Sequence, residues 1–196
     1  MGAPEPGVEW SPDARRIVFT GMTLDGNWDV YVMNADGGGL RRLTRSPRFE
    51  NGAVWSPDGR KIVFRNTSDA KWKVGGSVYV MNADGSGLQK LTTGALSHWD
   101  VSPDGRAIVF VGDRGGSDRA WFGDGIYVMN LDGSGLRRLT RNVGKEPAPT
   151  WSPDGRQIAF TGRDENIYVM NPDGSEMQRL TRNPGLSWAP VWSPGR

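Results

Sequence analysis

The sequence predicts an all-β fold of the propeller class, made of four-stranded antiparallel blades: four in this chain, either as a ring or as part of a larger one. Three observations predict it. The segments Trp10–Asp13, Trp55–Gly59, Val101–Gly105 and Trp151–Gly155 repeat one another, each reading Trp or Val, then Ser, Pro and Asp. Each is followed by two short apolar runs and closed by Leu-Thr, at Thr44, Thr92, Thr140 and Thr181. From one opening position to the next, ending at Trp192, the spacings are 45, 46, 50 and 41 residues. A period in the forties with several short strands per unit is the signature of propeller blades.

Each element follows in order. The first strand ends on the opening aromatic, and Ser-Pro-Asp-Gly turns the chain into the second strand at Ile17–Phe19, Ile62–Phe64, Ile108–Phe110 and Ile158–Phe160. Proline presets φ at the first central turn position, the Asp carboxylate can accept from backbone N–H groups just beyond it, and glycine takes the positive φ that closes the hairpin. Blade 1 departs here, with Ala14 where the others hold Gly59, Gly105 and Gly155. The third strand is Val30–Asn34, Val78–Asn82, Ile126–Asn130 or Ile167–Asn171, and an Asp-Gly turn leads to the fourth. Valine, isoleucine, tyrosine and phenylalanine fill these runs, as pleated half-buried strands require. The predicted organisation is a single propeller domain over 1–196, with blades at about 8–52, 53–98, 99–147 and 148–188 and an extra inner strand at 189–196. The recurring Trp10, Trp55, Trp151 and Trp192 are expected in the core between blades.

In such a blade the Asp-Gly turns gather at one end and the variable connections at the other. From the Phe of strand two to the Tyr of strand three the count is 12, 15, 17 and 8 residues in successive blades. Long loops on a rigid scaffold are where binding residues concentrate, so function is expected at the variable end.

Composition narrows the classes. The 196 residues are 36% hydrophobic with a formal net charge of +2, which is globular and too weakly basic for a nucleic-acid stripe. With no cysteine there is no disulfide framework, thiolate nucleophile or zinc–thiolate site. No apolar run reaches the roughly 20 residues of a membrane span. Residues 1–6 read neither as a basic start nor as an apolar core, so the chain as written is expected in the cytoplasm; an upstream signal segment would make it periplasmic or secreted.

The motif Ser-Pro-Asp-Gly-Arg, Ile-Val/Ala-Phe, Ile-Tyr-Val-Met-Asn, Asp-Gly-Ser and Leu-Thr resembles the repeat of the TolB-type β-propellers over residues 8–194. The resemblance implies a bacterial protein-interaction scaffold of the Tol-Pal kind. The same blade type also serves as a gate or sensor domain in larger peptidases and receptors.

Catalytic motifs are absent: there is no Gly-x-Ser-x-Gly elbow, and a single histidine excludes a multi-histidine metal site. Asp113, Asp118 and Asp124 do not have the spacing of an EF-hand loop, and the interleaved Arg114 and Arg119 oppose a cation. Asp100 and Glu9 occupy the first-strand position held elsewhere by Val54, Thr150 and Val191, and read as polar positions beside a wet channel. The expectation is therefore no enzyme, no metal and no cofactor. Aromatic and basic residues of the variable end are the candidate partner-binding set, since tryptophan and arginine dominate interface hot spots: Trp72, Trp121, Phe122, Trp99, His98, Trp188, Phe49, Arg48, Arg119 and Lys145. The leading expectation is a non-catalytic scaffold that binds a protein or peptide through this end. The alternatives are a gate or sensor fragment of a larger enzyme or receptor, and a carbohydrate-binding propeller. Self-association through an unpaired blade edge is also expected to be open to the chain.

Overall fold

The computed structural model describes residues 7–67, 76–92, 98–112, 125–141, 147–182 and 189–193. Four antiparallel four-stranded sheets are present, each in simple meander order. Blade 1 is β1 (Val8–Trp10), β2 (Arg16–Met22), β3 (Trp28–Asn34) and β4 (Arg41–Arg42); blade 2 is β5 (Phe49–Trp55), β6 (Lys61–Thr67), β7 (Ser77–Asn82) and β8 (Gln89–Lys90). Blade 3 is β9 (Trp99–Val101), β10 (Ala107–Gly112), β11 (Gly125–Asn130) and β12 (Arg137–Arg138); blade 4 is β13 (Thr150–Trp151), β14 (Ile158–Thr161), β15 (Ile167–Met170) and β16 (Gln178–Arg179). The chain forms two compact units, Met1–Thr93 with blades 1 and 2 and Gly94–Arg196 with blades 3 and 4.

The Ser-Pro-Asp-Gly turns are hydrogen-bonded alike in every blade. In blade 2 the Ser56 hydroxyl donates to Asp58 Oδ1 at 2.6 Å and accepts from the Lys61 N–H at 2.9 Å. Asp58 Oδ1 also accepts from the Arg60 N–H at 3.0 Å. Ser11, Ser102 and Ser152 repeat these bonds. All four serines are buried, so the hydroxyl satisfies a backbone donor that the turn would otherwise strand. Gly59, Gly105 and Gly155 sit at φ 68°, 68° and 69°, and Ala14 is forced to φ 55°.

The Leu-Thr closure has an equally local reason. Thr44, Thr92, Thr140 and Thr181 accept the N–H of Val30, Val78, Ile126 and Ile167 at 2.9–3.0 Å. Each threonine thereby completes the pairing of strands three and four where β4, β8, β12 and β16 run out after two residues. The second turn is tied to the first by the N–H of Ala35, Ala83 and Leu131, which donate to the carbonyls of Arg15, Arg60 and Arg106. Blade 4 holds Pro172 there, which has no N–H; its carbonyl instead accepts from Arg137 Nη2 at 2.9 Å.

Within each unit the core lies between the two sheets. In unit 1, Val18, Val30 and Val32 of blade 1 pack with Ala53, Trp55, Ile62, Phe64 and Met81 of blade 2. In unit 2, Val109, Ile126 and Val128 pack with Trp151, Ile158, Phe160 and Met170. Fully burying one such side chain is worth about 1.5–3 kcal/mol. The Arg16 guanidinium lies 4.6 Å from the Trp55 ring centroid and caps it. Across strands two and three, Phe19–Tyr31, Phe64–Tyr79, Phe110–Tyr127 and Phe160–Tyr168 stack at 5.5–5.8 Å.

Two of the four recurring tryptophans depart from the expected core role. Trp55 and Trp151 are buried, but Trp10 is 54% exposed. Within unit 1 Trp55 packs against blade 1, whereas Trp10 is not part of that core. Trp192 is half-buried and residues 189–193 form no strand. Its Nε1 nonetheless donates to the Thr150 carbonyl at 3.2 Å.

Candidate functional site

The meander order puts the two tight turns of each blade at one end and the β2–β3-type and interblade connections at the other. At the variable end of unit 1, a hollow of about 450 Å³ is lined by residues 25–27 and Arg42 of blade 1, by Arg45, Ser46 and Pro47 of the interblade connection, and by Phe49 at the start of β5. Phe49 is half-buried and Arg48 exposed.

Ser46 connects this hollow to a buried polar cluster. Asn66 Nδ2 donates to Ser46 Oγ and to Glu50 Oε1, both at 3.1 Å. Glu50 is 1% exposed, and its Oε2 accepts from the Thr44 hydroxyl. Asp29, fully buried, pairs with Arg42 at 2.6 Å and lies 3.4 Å from Thr44 Oγ1. Burial pushes the Glu50 carboxyl up to about 7, with the Asp29 charge adding to it against the lowering pull of the Thr44 and Asn66 donors. A protonated Glu50 can donate to Thr44 Oγ1, which leaves the Thr44 proton for Asp29.

Sequence reasoning missed this cluster, although a signal existed. Two residues after the strand-two Phe stand Gly21, Gly112 and Gly162, but Asn66 in blade 2. A Cβ at Gly162 would meet Tyr168 Cε2 at 2.6 Å, so the tyrosine stack explains that glycine. Blade 2 abandons the rule where β5 runs on past a bulge between Asn51 and Val54 to pair Glu50 with Asn66.

In unit 2 a hollow of about 370 Å³ is lined by His98, Trp99, Asp100, Ala148, Pro149, Thr150 and Pro190. His98 and Trp99 are half-buried, and Trp99 pairs across strands with Phe110. Asp100 Oδ2 accepts from the Thr150 hydroxyl at 2.9 Å and from the Trp151 N–H at 2.8 Å, joining the inner strands of blades 3 and 4. Burial raises the Asp100 carboxyl above the ordinary aspartate value despite these donors. A structural role thus replaces the idle polar position expected of Asp100. Glu9, its repeat equivalent, belongs to unit 1. A second hollow of unit 2, about 530 Å³, opens between Leu139–Arg141 and the Phe160, Asp164 and Tyr168 side of blade 4.

The structure therefore brings His98 and Trp99 together around one hollow and places Phe49, beside Arg48, at another. Trp72, Arg119, Trp121, Phe122, Lys145 and Trp188 lie outside the described residues, as do Asp113, Asp118 and Asp124. Among the described residues no group of three or more His, Cys, Asp or Glu is placed to hold a metal ion. Among them, too, no helix is long and apolar enough to cross a membrane.

Residues 2–120 match the TolB beta propeller domain family. The chain belongs to that family. Residues 102–188 also match the dipeptidyl peptidase IV N-terminal region. Among solved structures, TolB from Acinetobacter baumannii is 22% identical with a TM-score of 0.68, covering 97% of this chain and 47% of its own. An oligogalacturonate lyase in complex with manganese is 20% identical with a TM-score of 0.65, covering 85% of this chain and 48% of its own. A nidogen/laminin complex contributes a chain 17% identical with a TM-score of 0.67, covering 97% of this chain and 68% of its own. At these identities the likeness is one of fold. The chain spans about half the length of the TolB and lyase structures.

Proposed function

We propose that this propeller is a non-catalytic scaffold whose variable end binds a protein or peptide partner. The observation that carries this reading is the contrast between the two ends. At the turn end the serine, aspartate and backbone bonds recur blade after blade. At the other end departures from the repeat lie at or beside hollows: Phe49 lines the one in unit 1, where Ser46 leads to Glu50 and Asn66, and His98, Trp99 and Asp100 line the one in unit 2. A rigid, uniform scaffold beneath individual side chains is how repeat proteins separate stability from recognition. We assign Trp72 to the variable end of unit 1, and Arg119, Trp121, Phe122, Lys145 and Trp188 to that of unit 2, from their places in the sequence. The presence of this fold in a nidogen/laminin complex supports the reading.

Selection of a phage-displayed random peptide library on the full chain tests it. Binders are expected, and Trp72→Ala or Trp121→Ala should weaken them by about 2 kcal/mol or more, roughly thirty-fold, as hot-spot residues do. Selection that yields no binder contradicts the reading.

A second reading has one specific observation behind it, the match of residues 102–188 to the dipeptidyl peptidase IV N-terminal region. On that reading the blades form the propeller portion of a larger enzyme and govern access to it. A catalytic domain encoded in frame beside these blades would favour it. A glycan array that includes oligogalacturonates tests the carbohydrate-binding alternative, for which the lyase likeness is the support.

A further inference from the structure

We propose that the hollow between β9 and β13 receives a basic side chain, Lys or Arg, of a bound protein, with Asp100 as its counter-ion. The inference rests on the peptide-binding reading and names what one part of that surface takes.

Asp100 is a largely buried carboxylate whose Oδ2 accepts from Thr150 Oγ1 and the Trp151 N–H, with the Val101 N–H a further, weaker donor to the group. None of the ion pairs among the described residues involves it. A carboxylate held this way costs free energy to ionise, as the upward push on its titration shows. A cation brought by a ligand would offset that cost.

The walls choose among cations. Ala148, Pro149 and Pro190 line the hollow with apolar surface, suited to the methylene stem of Lys or Arg. A hard metal ion asks for several oxygen ligands, whereas among the described residues Asp100 is the only carboxylate on this lining. An anionic group would meet Asp100 unfavourably. A volume of about 370 Å³ suits a side chain better than a folded segment.

His98 lines the same hollow and is the only histidine of the sequence, so its imidazole gives a single NMR signal that reports on this site alone. The probes are the peptides selected by phage display, resynthesised with citrulline in place of Arg or norleucine in place of Lys. The expected result has three parts. Selected peptides share a basic residue at a fixed position, and they shift the His98 signal. Removing the peptide's charge weakens binding at least ten-fold in the wild-type protein but not in Asp100→Asn, which keeps the shape and an acceptor for the Trp151 N–H. The citrulline or norleucine exchange leaves the protein untouched, so the outcome does not depend on how well the variant folds. Peptides that bind equally well without their charge, or that leave the His98 signal in place, overturn the counter-ion assignment while peptide binding stands. A library that yields no binder overturns the peptide-binding reading itself, and this inference with it.

Discussion

Ala14 occupies a conformation that its three repeat equivalents reach with glycine. At φ 55° an L-residue brings Cβ close to the following carbonyl, a cost of about 1–2 kcal/mol, which glycine avoids at some expense in chain entropy. Ala14→Gly should therefore stabilise unit 1 by about 0.5–1 kcal/mol, read as a shift in the denaturation midpoint. Glu50 makes an electrostatic prediction. Its folded-state carboxyl titrates near 7 against an ordinary value of 4.5, so the native state holds a proton that the unfolded chain has released. The contribution to stability is full below about pH 4.5 and falls as pH rises towards 7. Glu50→Gln should flatten this slope and raise stability at pH 8 by about 1–2 kcal/mol. A wild-type stability that climbs between pH 5 and 7 with a slope removed by Glu50→Gln would contradict this assignment. Neither residue's behaviour follows from composition: Ala14 was legible as an exception to the repeat, but Glu50 depends on a strand pairing that lies beyond a bulge.

Elements in this protein are held by side-chain bonds to backbone as much as by strand propensity. Ser56 is buried and serves both Asp58 and the Lys61 N–H. Ser56→Ala leaves that N–H and carboxylate short of a partner, and should cost about 1–3 kcal/mol. Thermal denaturation of the variant measures it. These turns were readable in advance because proline, aspartate and glycine state their backbone angles in the sequence itself. The strands were readable because apolar runs repeat in register. The extension of β5 to Phe49 was not, since Gly52 takes φ 61° and the bulge between Asn51 and Val54 shifts the alternation. Asn66 was the available clue, standing where the other blades hold a glycine beside the tyrosine ring.

At the scale of the molecule, blades are joined within each unit by one buried tryptophan and its aliphatic neighbours. Trp55 seals blade 2 against blade 1, so Trp55→Ala should cost about 3–5 kcal/mol and lower the melting temperature of the whole of unit 1. The exposure of Trp10 shows why the repeat alone misjudged that residue: the same sequence position is core only where a neighbouring sheet covers it. Fold and family were legible because they are properties of the repeat. The candidate site was legible only as an end of the scaffold, because the recognition proposed for it rests on residues that break the pattern, and their partners across strands are not written in local sequence. His98, Trp99 and Phe49 were anticipated there, and the polar cluster of Asp29, Glu50 and Asn66 was not.

The central claim is that stability and recognition sit at opposite ends of the blades. The direct measurement is calorimetric binding of a selected peptide, set beside the melting temperature, for two groups of variants. Trp72→Ala and Trp121→Ala are expected to lose binding by about 2 kcal/mol or more with the melting temperature nearly unchanged. Ser56→Ala and Ser152→Ala are expected to melt earlier while binding the peptide as before. Melting that collapses in the first group, or binding lost in the second with the fold intact, would contradict the account.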